Sequence, residues 1–181
     1  MRIFIGIPLP EETKRYLNGI EDEFKECDCL IKWVQHTNLH ITLKFLGEIK
    51  EERLPLINSA IEETSKNFSK IFVSLRNFGF FPHEKNPRVF FVSVDKDEIL
   101  RRLAYTLEKR LEPMGFTPEH RFKSHITLGR IKSKKNIECL IRKTKQVKLI
   151  NSFYIDSIIL YKSTLTPKGP IYESIFKKPL T

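Results

Sequence analysis

Cysteine is scarce in this sequence. Of 181 residues only 3 are Cys: Cys27 and Cys29 form a C-x-C pair, and Cys139 stands far from both. That spacing is neither a zinc ligand set nor an even disulfide framework, so a reducing compartment is expected. Long apolar runs are also missing. No stretch approaches the roughly 20 residues of a membrane-spanning helix. The opening MRIFIGIPLP meets Glu11 and Glu12 at once, too soon for a secretory core and its cleavage site. A cytoplasmic protein without a membrane partner is the expectation. There is no low-complexity tract and no long linker, so residues 1–181 read as a single domain. Acid is in deficit: 22 Asp and Glu face 32 Lys and Arg, for a net charge of +10. Such a balance points to an anionic partner, with RNA, DNA or a phosphorylated small molecule foremost. Lys and Glu enrichment with few Gln equally suits a heat-tolerant surface.

One tetrapeptide occurs twice. His40-Ile41-Thr42-Leu43 lies within NLHITLKFLGE, and His125-Ile126-Thr127-Leu128 lies within SHITLGR. Ile, Thr and Leu form strands, and side chains on a strand alternate between faces. His40 and Thr42 therefore share one face while Ile41 and Leu43 take the other, and the second copy does the same. Each polar face offers a group that titrates near neutrality and a hydroxyl that can donate to an anion. A single His-x-Thr is most often a solvated pair, but 2 of only 5 histidines in identical contexts are a stronger signal.

The remaining pattern places these strands. Strands are expected at Arg2 to Leu9, Ile31 to Val34, His40 to Leu46, Ile71 to Leu75, Arg88 to Val94, His125 to Ile131, Phe153 to Tyr161 and Ile171 to Phe176. Apolar spacing predicts helices over Glu11 to Phe24, Glu51 to Phe68, Asp97 to Leu111 and Asn136 to Lys143. Phe78 to Pro82 reads as a bent aromatic connection, and Thr166 to Pro170 as a turn. The fold class is α+β: two similar halves, each a mostly antiparallel sheet with helices on its outer side.

The doubled motif resembles that of the 2H phosphoesterase superfamily. MRIFIGIPLP, the Trp33 strand, NLHITLKFLGE, RVFFVSV, SHITLGR and LYKSTLTPKGPIYESIF resemble, within it, the bacterial and archaeal RNA 2′,3′-cyclic phosphodiesterases, also called 2′-5′ RNA ligases. The resemblance spans essentially the whole chain. It implies a bilobal fold with a pseudo-twofold axis, a cleft between the lobes, and chemistry needing no metal and no nucleotide cofactor. It makes His40 the proton donor and His125 the proton acceptor, with Thr42, Thr127 and Arg130 as phosphate ligands. The near-symmetric motifs do not themselves decide which histidine does which. The substrate implied is RNA with a 2′,3′-cyclic phosphate end, such as a tRNA half, acted on by a monomer.

Several residues stay open. Arg130 lies three positions after Thr127, so a regular strand would turn it to the face of Ile126; a bend at Gly129 or the strand end is needed. Lys44, two positions after Thr42, is expected on the polar face as a phosphate contact. Phe45 and Tyr161, with Phe4, are candidates to stack a base, although packing competes. His36, His83 and His120 read as surface. The basic runs Arg130 to Lys135 and Arg142 to Lys148 are either a track for an RNA backbone or a solvated surface. Two other functions compete: a cyclic phosphodiesterase for small nucleotides of the ADP-ribose cyclic phosphate type, and a non-catalytic RNA-binding module. The aromatic sheet motif of RNA-recognition domains, which the latter would favour, is missing.

Overall fold

The computed structural model describes residues 1–119 and 121–181. The expected elements form, with revised ends. In chain order they are β1 (Arg2–Pro8), α1 (Glu11–Lys25), β2 (Ile31–Trp33), β3 (His40–Glu48), α2 (Leu54–Ser65), β4 (Ile71–Phe81), β5 (Val89–Val94), α3 (Asp97–Leu111), β6 (His125–Ile131), α4 (Ile137–Thr144), β7 (Ser152–Ile155), β8 (Ser157–Thr166) and β9 (Gly169–Pro179). Acids open α1 and α3 and basic residues close both, matching the helix dipole.

All pairings are antiparallel. The strands run β7-β4-β5-β6-β3-β1-β8-β9, with β2 added to β6. The architecture is α+β, a curled sheet in two halves that join where β3 meets β6 through Ile41 and Ile126. The last strands are exchanged. β4 leaves the first half of the chain to pair with β5, and β8 leaves the second half to pair with β1.

Two expectations change here. Phe153 to Tyr161 is not one strand, because the chain breaks at Asp156 and sends β7 to β4 and β8 to β1. The aromatic run Phe78 to Phe81 is no connection, but the paired end of β4 against β5.

One face of the sheet carries the core. Ile3, Ile5 and Ile7 of β1, Ile41 and Leu43 of β3, and Ile126 and Leu128 of β6 are buried with the apolar faces of the helices. From α1 come Leu17, Ile20 and Phe24, and from α3 Leu100, Leu103, Leu107 and Leu111, at the three- and four-residue spacing of a buried stripe. Each fully buried side chain of this kind contributes about 1.5–3 kcal/mol of transfer free energy. The opposite, concave face is left to the polar residues of the two repeated motifs.

The cysteine expectation is overturned. Cys27, just beyond α1, is bonded to Cys139 in α4 across a sequence separation of 112 residues, leaving Cys29 free. The pairing joins residues too far apart in sequence for a spacing rule to reveal. The scarcity of cysteine therefore carries no argument for a reducing compartment. Among the described residues no helix is long and apolar enough to cross a membrane.

Candidate active site

A β-bulge in each motif strand builds the site. Between Gly6↔Thr42 and Ile5↔Lys44, β1 advances one residue and β3 two, so Leu43 is the extra residue. Between Phe91↔Thr127 and Phe90↔Gly129, β5 advances one and β6 two, so Leu128 is extra. In both copies the bulge falls on the Leu of HITL. A bulge inverts the alternation that follows it. Arg130 is thereby returned to the face of His125 and Thr127, which resolves its apparent misplacement. Phe45, at the corresponding position of the first copy, joins the face of His40 and Thr42.

The same inversion corrects the expectation for Lys44. It turns away from the polar face and is 4% exposed. Its Nζ donates to Glu108 Oε1 of α3 at 2.9 Å, to the Thr117 carbonyl at 2.6 Å and to Glu119 Oε1 at 3.2 Å. Lys44 is therefore no phosphate contact. Its counterpart Gly129 has no side chain, and a Cβ there would fall 2.5 Å from Ile31 Cγ2 and 3.3 Å from Trp33 Cε3. That vacancy is what lets β2 pack on β6.

His40, Thr42, Phe45, His125, Thr127 and Arg130 all line one cavity of about 240 Å³. Lys32, Lys132 and Lys168 add positive charge to its wall. Among the described lining residues there is no carboxylate. Such a surface suits an anion. One wall is the tip of the β8–β9 hairpin, fixed where Asn38 Nδ2 donates to the Pro170 carbonyl at 2.7 Å.

Both imidazoles are held alike. His40 Nδ1 lies 2.6 Å from the Asn38 carbonyl, and His125 Nδ1 lies 2.7 Å from that of Lys123. A carbonyl only accepts, so each Nδ1 carries the proton and each Nε2 is the ring's basic nitrogen, which at His40 accepts from the Thr42 hydroxyl. Thr42 Oγ1 is 2.8 Å from His40 Nε2.

Each ring also rests on an aromatic pair. Phe4 and Tyr161 stack at 5.0 Å beside His40, and Phe81 and Phe91 stack at 4.1 Å beside His125. Gly6 makes room for the first arrangement. A Cβ there would lie 3.0 Å from the Ile41 carbonyl and 3.4 Å from both His40 Cδ2 and Tyr161 Cε2. Phe4 is accordingly buried and Tyr161 is a support beneath His40, not part of the cavity wall. The expectation that either stacks a base is corrected on that ground. Phe45, 61% exposed and on the wall, remains available.

The environment lowers both histidine pKa values. Burial brings His40 from 6.5 to about 4, partly opposed by the Asn38 carbonyl and reinforced by the charge of His125. Burial lowers His125 too, opposed by the Lys123 carbonyl and helped by the Lys123 charge. Burial thus favours the neutral form of both rings in the free protein, most strongly at His40. Burial pushes the Tyr161 hydroxyl up to about 12.

Other sequence candidates fall outside this cavity. His36 faces Glu11 at 2.6 Å, and His83 lies exposed in a turn. His120 lies outside the described residues. Conversely Lys32, Gln35, Asn38 and Tyr172 were not singled out in the sequence yet line the cavity. The Gly169-Pro170-x-Tyr172 ending was the available signal for the last of them.

The LigT-like phosphoesterase profile matches this chain twice, over residues 7–91 and 92–172. The chain belongs to the LigT-like phosphoesterase family. The boundary at residue 91 divides the two HITL copies, so each LigT-like repeat brings one histidine. Proteins named RNA 2′,3′-cyclic phosphodiesterase are similar throughout. The one from Methanothermobacter thermautotrophicus is 33% identical over 97% of this chain and 96% of its own, and the one from Methanocaldococcus jannaschii is 36% identical over 97% and 98%. Among solved structures, a Thermus thermophilus protein superposes with a TM-score of 0.83 at 30% identity, covering 99% of this chain and 98% of its own. Escherichia coli LigT shares the fold, with a TM-score of 0.80 at 21% identity over 99% and 97%.

Proposed function

We propose that this protein opens 2′,3′-cyclic phosphates at the ends of RNA, tRNA halves among them, to give 2′-phosphomonoesters. The observation that carries this reading is the convergence of both His-x-Thr faces on one cationic cavity, with each Nδ1 tied to a backbone carbonyl and His40 Nε2 paired with the Thr42 hydroxyl. The names of the similar proteins support the substrate class.

In the step proposed, a water oxygen forms a bond to phosphorus as the bond to the ribose 3′-oxygen breaks. His125 Nε2 takes the water proton. His40 Nε2 gives a proton to the leaving oxygen. The pair then exchanges one proton to reset. Thr42, Thr127 and Arg130 hold the phosphoryl oxygens, where fixed donors count most as charge develops. His40 is neutral in the free protein, so it must acquire its proton as the anionic phosphate enters and favours imidazolium. Replacing water by an RNA 5′-hydroxyl in the same geometry gives a 2′-5′ linkage, which is the ligase activity we include in the proposal. Phe45 offers a stacking face to the terminal base.

The test is product analysis on a defined RNA ending in a 2′,3′-cyclic phosphate, with and without a 5′-hydroxyl RNA. A 2′-phosphate is expected in the first case, and a 2′-5′ joined product in addition in the second. A 3′-phosphate, or no turnover, would overturn the reading. The proton assignment is tested by a substrate with sulfur in place of the bridging 3′-oxygen. A thiolate leaves without protonation, so His40→Ala should recover activity on it while His125→Ala should not.

A further inference from the structure

β2 has only three residues and lies off the main strand order, yet it brings charge to the site. Lys32 is the Cα partner of Arg130. Residues opposite each other on antiparallel strands face the same way and lie about 5 Å apart. Lys132 follows Arg130 by two residues and so keeps its face. Along β6 and the residue just beyond it the concave face then reads His125, Thr127, Arg130, Lys132, with Lys32 alongside. Alternate residues of a strand are about 7 Å apart, a step comparable to that between neighbouring phosphates of an extended single strand. Lys32, Arg130 and Lys132 are exposed and line the same cavity as the histidines. Among the described residues none of the three is in an ion pair. Lys44, by contrast, is paired with the carboxylates of Glu108 and Glu119 and the Thr117 carbonyl.

An uncompensated row of cations beside a phosphate-sized site has one economical use. We propose that the β2–β6 ribbon is a binding track for the sugar-phosphate backbone of single-stranded RNA, with Lys32 and Lys132 holding the phosphates just upstream of the cyclic end. This rests on the proposed function for the location of the reacting phosphate. It goes further in separating an RNA substrate from a small cyclic nucleotide, which has no upstream phosphate for the two lysines to meet. The hairpin tip, fixed through Asn38 and Pro170, forms the other wall of the cleft.

Turnover of a single-stranded oligonucleotide and of a mononucleoside, each ending in a 2′,3′-cyclic phosphate, tests the track in the full chain. Lys32→Ala and Lys132→Ala should each lower kcat/KM on the oligonucleotide by about fivefold, mainly through KM, and reduce the slope of its logarithm against log salt by about 0.7. The mononucleotide constant should fall by a clearly smaller factor, about twofold or less, since both lysines also line the wall of the cavity. Equal losses on both substrates, or no loss on the oligonucleotide, would overturn the track. If the parent protein turns over neither substrate, the proposed function fails on its own account. The track is then decided by fluorescence anisotropy with a 2′-phosphate-ended oligonucleotide, where the same variants must weaken binding and an unchanged affinity refutes it.

Discussion

Ile41 and Ile126 are Cα partners on the rung that joins β3 to β6. They are the second residues of the two HITL copies, so the pseudo-twofold relation between the halves passes through that rung. Antiparallel from it, His40 runs against Thr127 and Thr42 against His125. The two polar faces therefore meet at that rung, and all four residues line the same cavity. Neither half holds a complete site by itself.

Loss of either imidazole should be severe. His40→Ala and His125→Ala are each expected to reduce turnover of a cyclic-phosphate RNA by at least about 10²-fold, the usual worth of one acid–base group. Circular dichroism should show the fold retained. Activity near the parent level in either variant would remove the two-histidine mechanism.

The pH dependence follows from burial. The reactive form of the free protein carries one proton on the histidine pair, and its population peaks between two macroscopic pKa values. Both are lowered from the ordinary 6.5, His40 to about 4. The maximum of kcat/KM should therefore lie below pH 6.5 and fall as pH rises, because the pair loses its proton. The maximum of kcat should lie at higher pH, since bound phosphate favours imidazolium. Coincident maxima at or above pH 7 would contradict these environments.

Lys44 is predicted to act on stability. Its ammonium and the Glu108 carboxylate are both buried, and Glu108 Oε1 also accepts the Glu119 backbone N–H at 2.7 Å. Lys44→Met leaves a buried carboxylate without its cation and should destabilise by about 3 kcal/mol. Adding Glu108→Gln should recover much of that. Chemical denaturation of the single and double variants provides the measurement.

Cys139→Ser should also lower stability, since the Cys27–Cys139 link spans 112 residues. Disulfides are typically worth about 2–4 kcal/mol, and the length of this loop puts the entropic expectation at the upper end of that range. An unchanged denaturation midpoint, measured without reductant, would argue that the bond does not form.

The mechanism assigns every charge and proton to side chains. Turnover is accordingly expected to survive EDTA. Activity lost to the chelator and restored by Mn²⁺ or Zn²⁺ would replace the scheme with a metal-assisted one.

Much of the fold could be read from periodicity, because half-buried strands alternate and α1 and α3 bury one stripe. The paired histidines and threonines could be read from the repeat itself. Lys44 and Arg130 could not be placed that way. A strict two-residue alternation puts the first on the polar face and the second off it, and both assignments reverse once a bulge occupies Leu43 and Leu128. Register against β1 and β5 decides the bulge, and register is not a local property. The same holds for Lys32, which reaches the cavity only because Gly129 leaves space for β2, and for Cys27, whose partner is set by the packing of α1 and α4. Tyr161 escapes sequence reasoning for a related reason. Its ring is aromatic and near His40, but Phe4 beneath that histidine claims its face.

In the proposed mechanism one phosphoryl group meets both imidazoles at once. Titrating the protein with a 2′-phosphomononucleotide while following the ring resonances of His40 and His125 by NMR tests this most directly. Both sets of signals should shift along a single binding curve, with the pKa of at least one ring rising in the complex. Movement of one ring alone, or two curves with separate affinities, would contradict it.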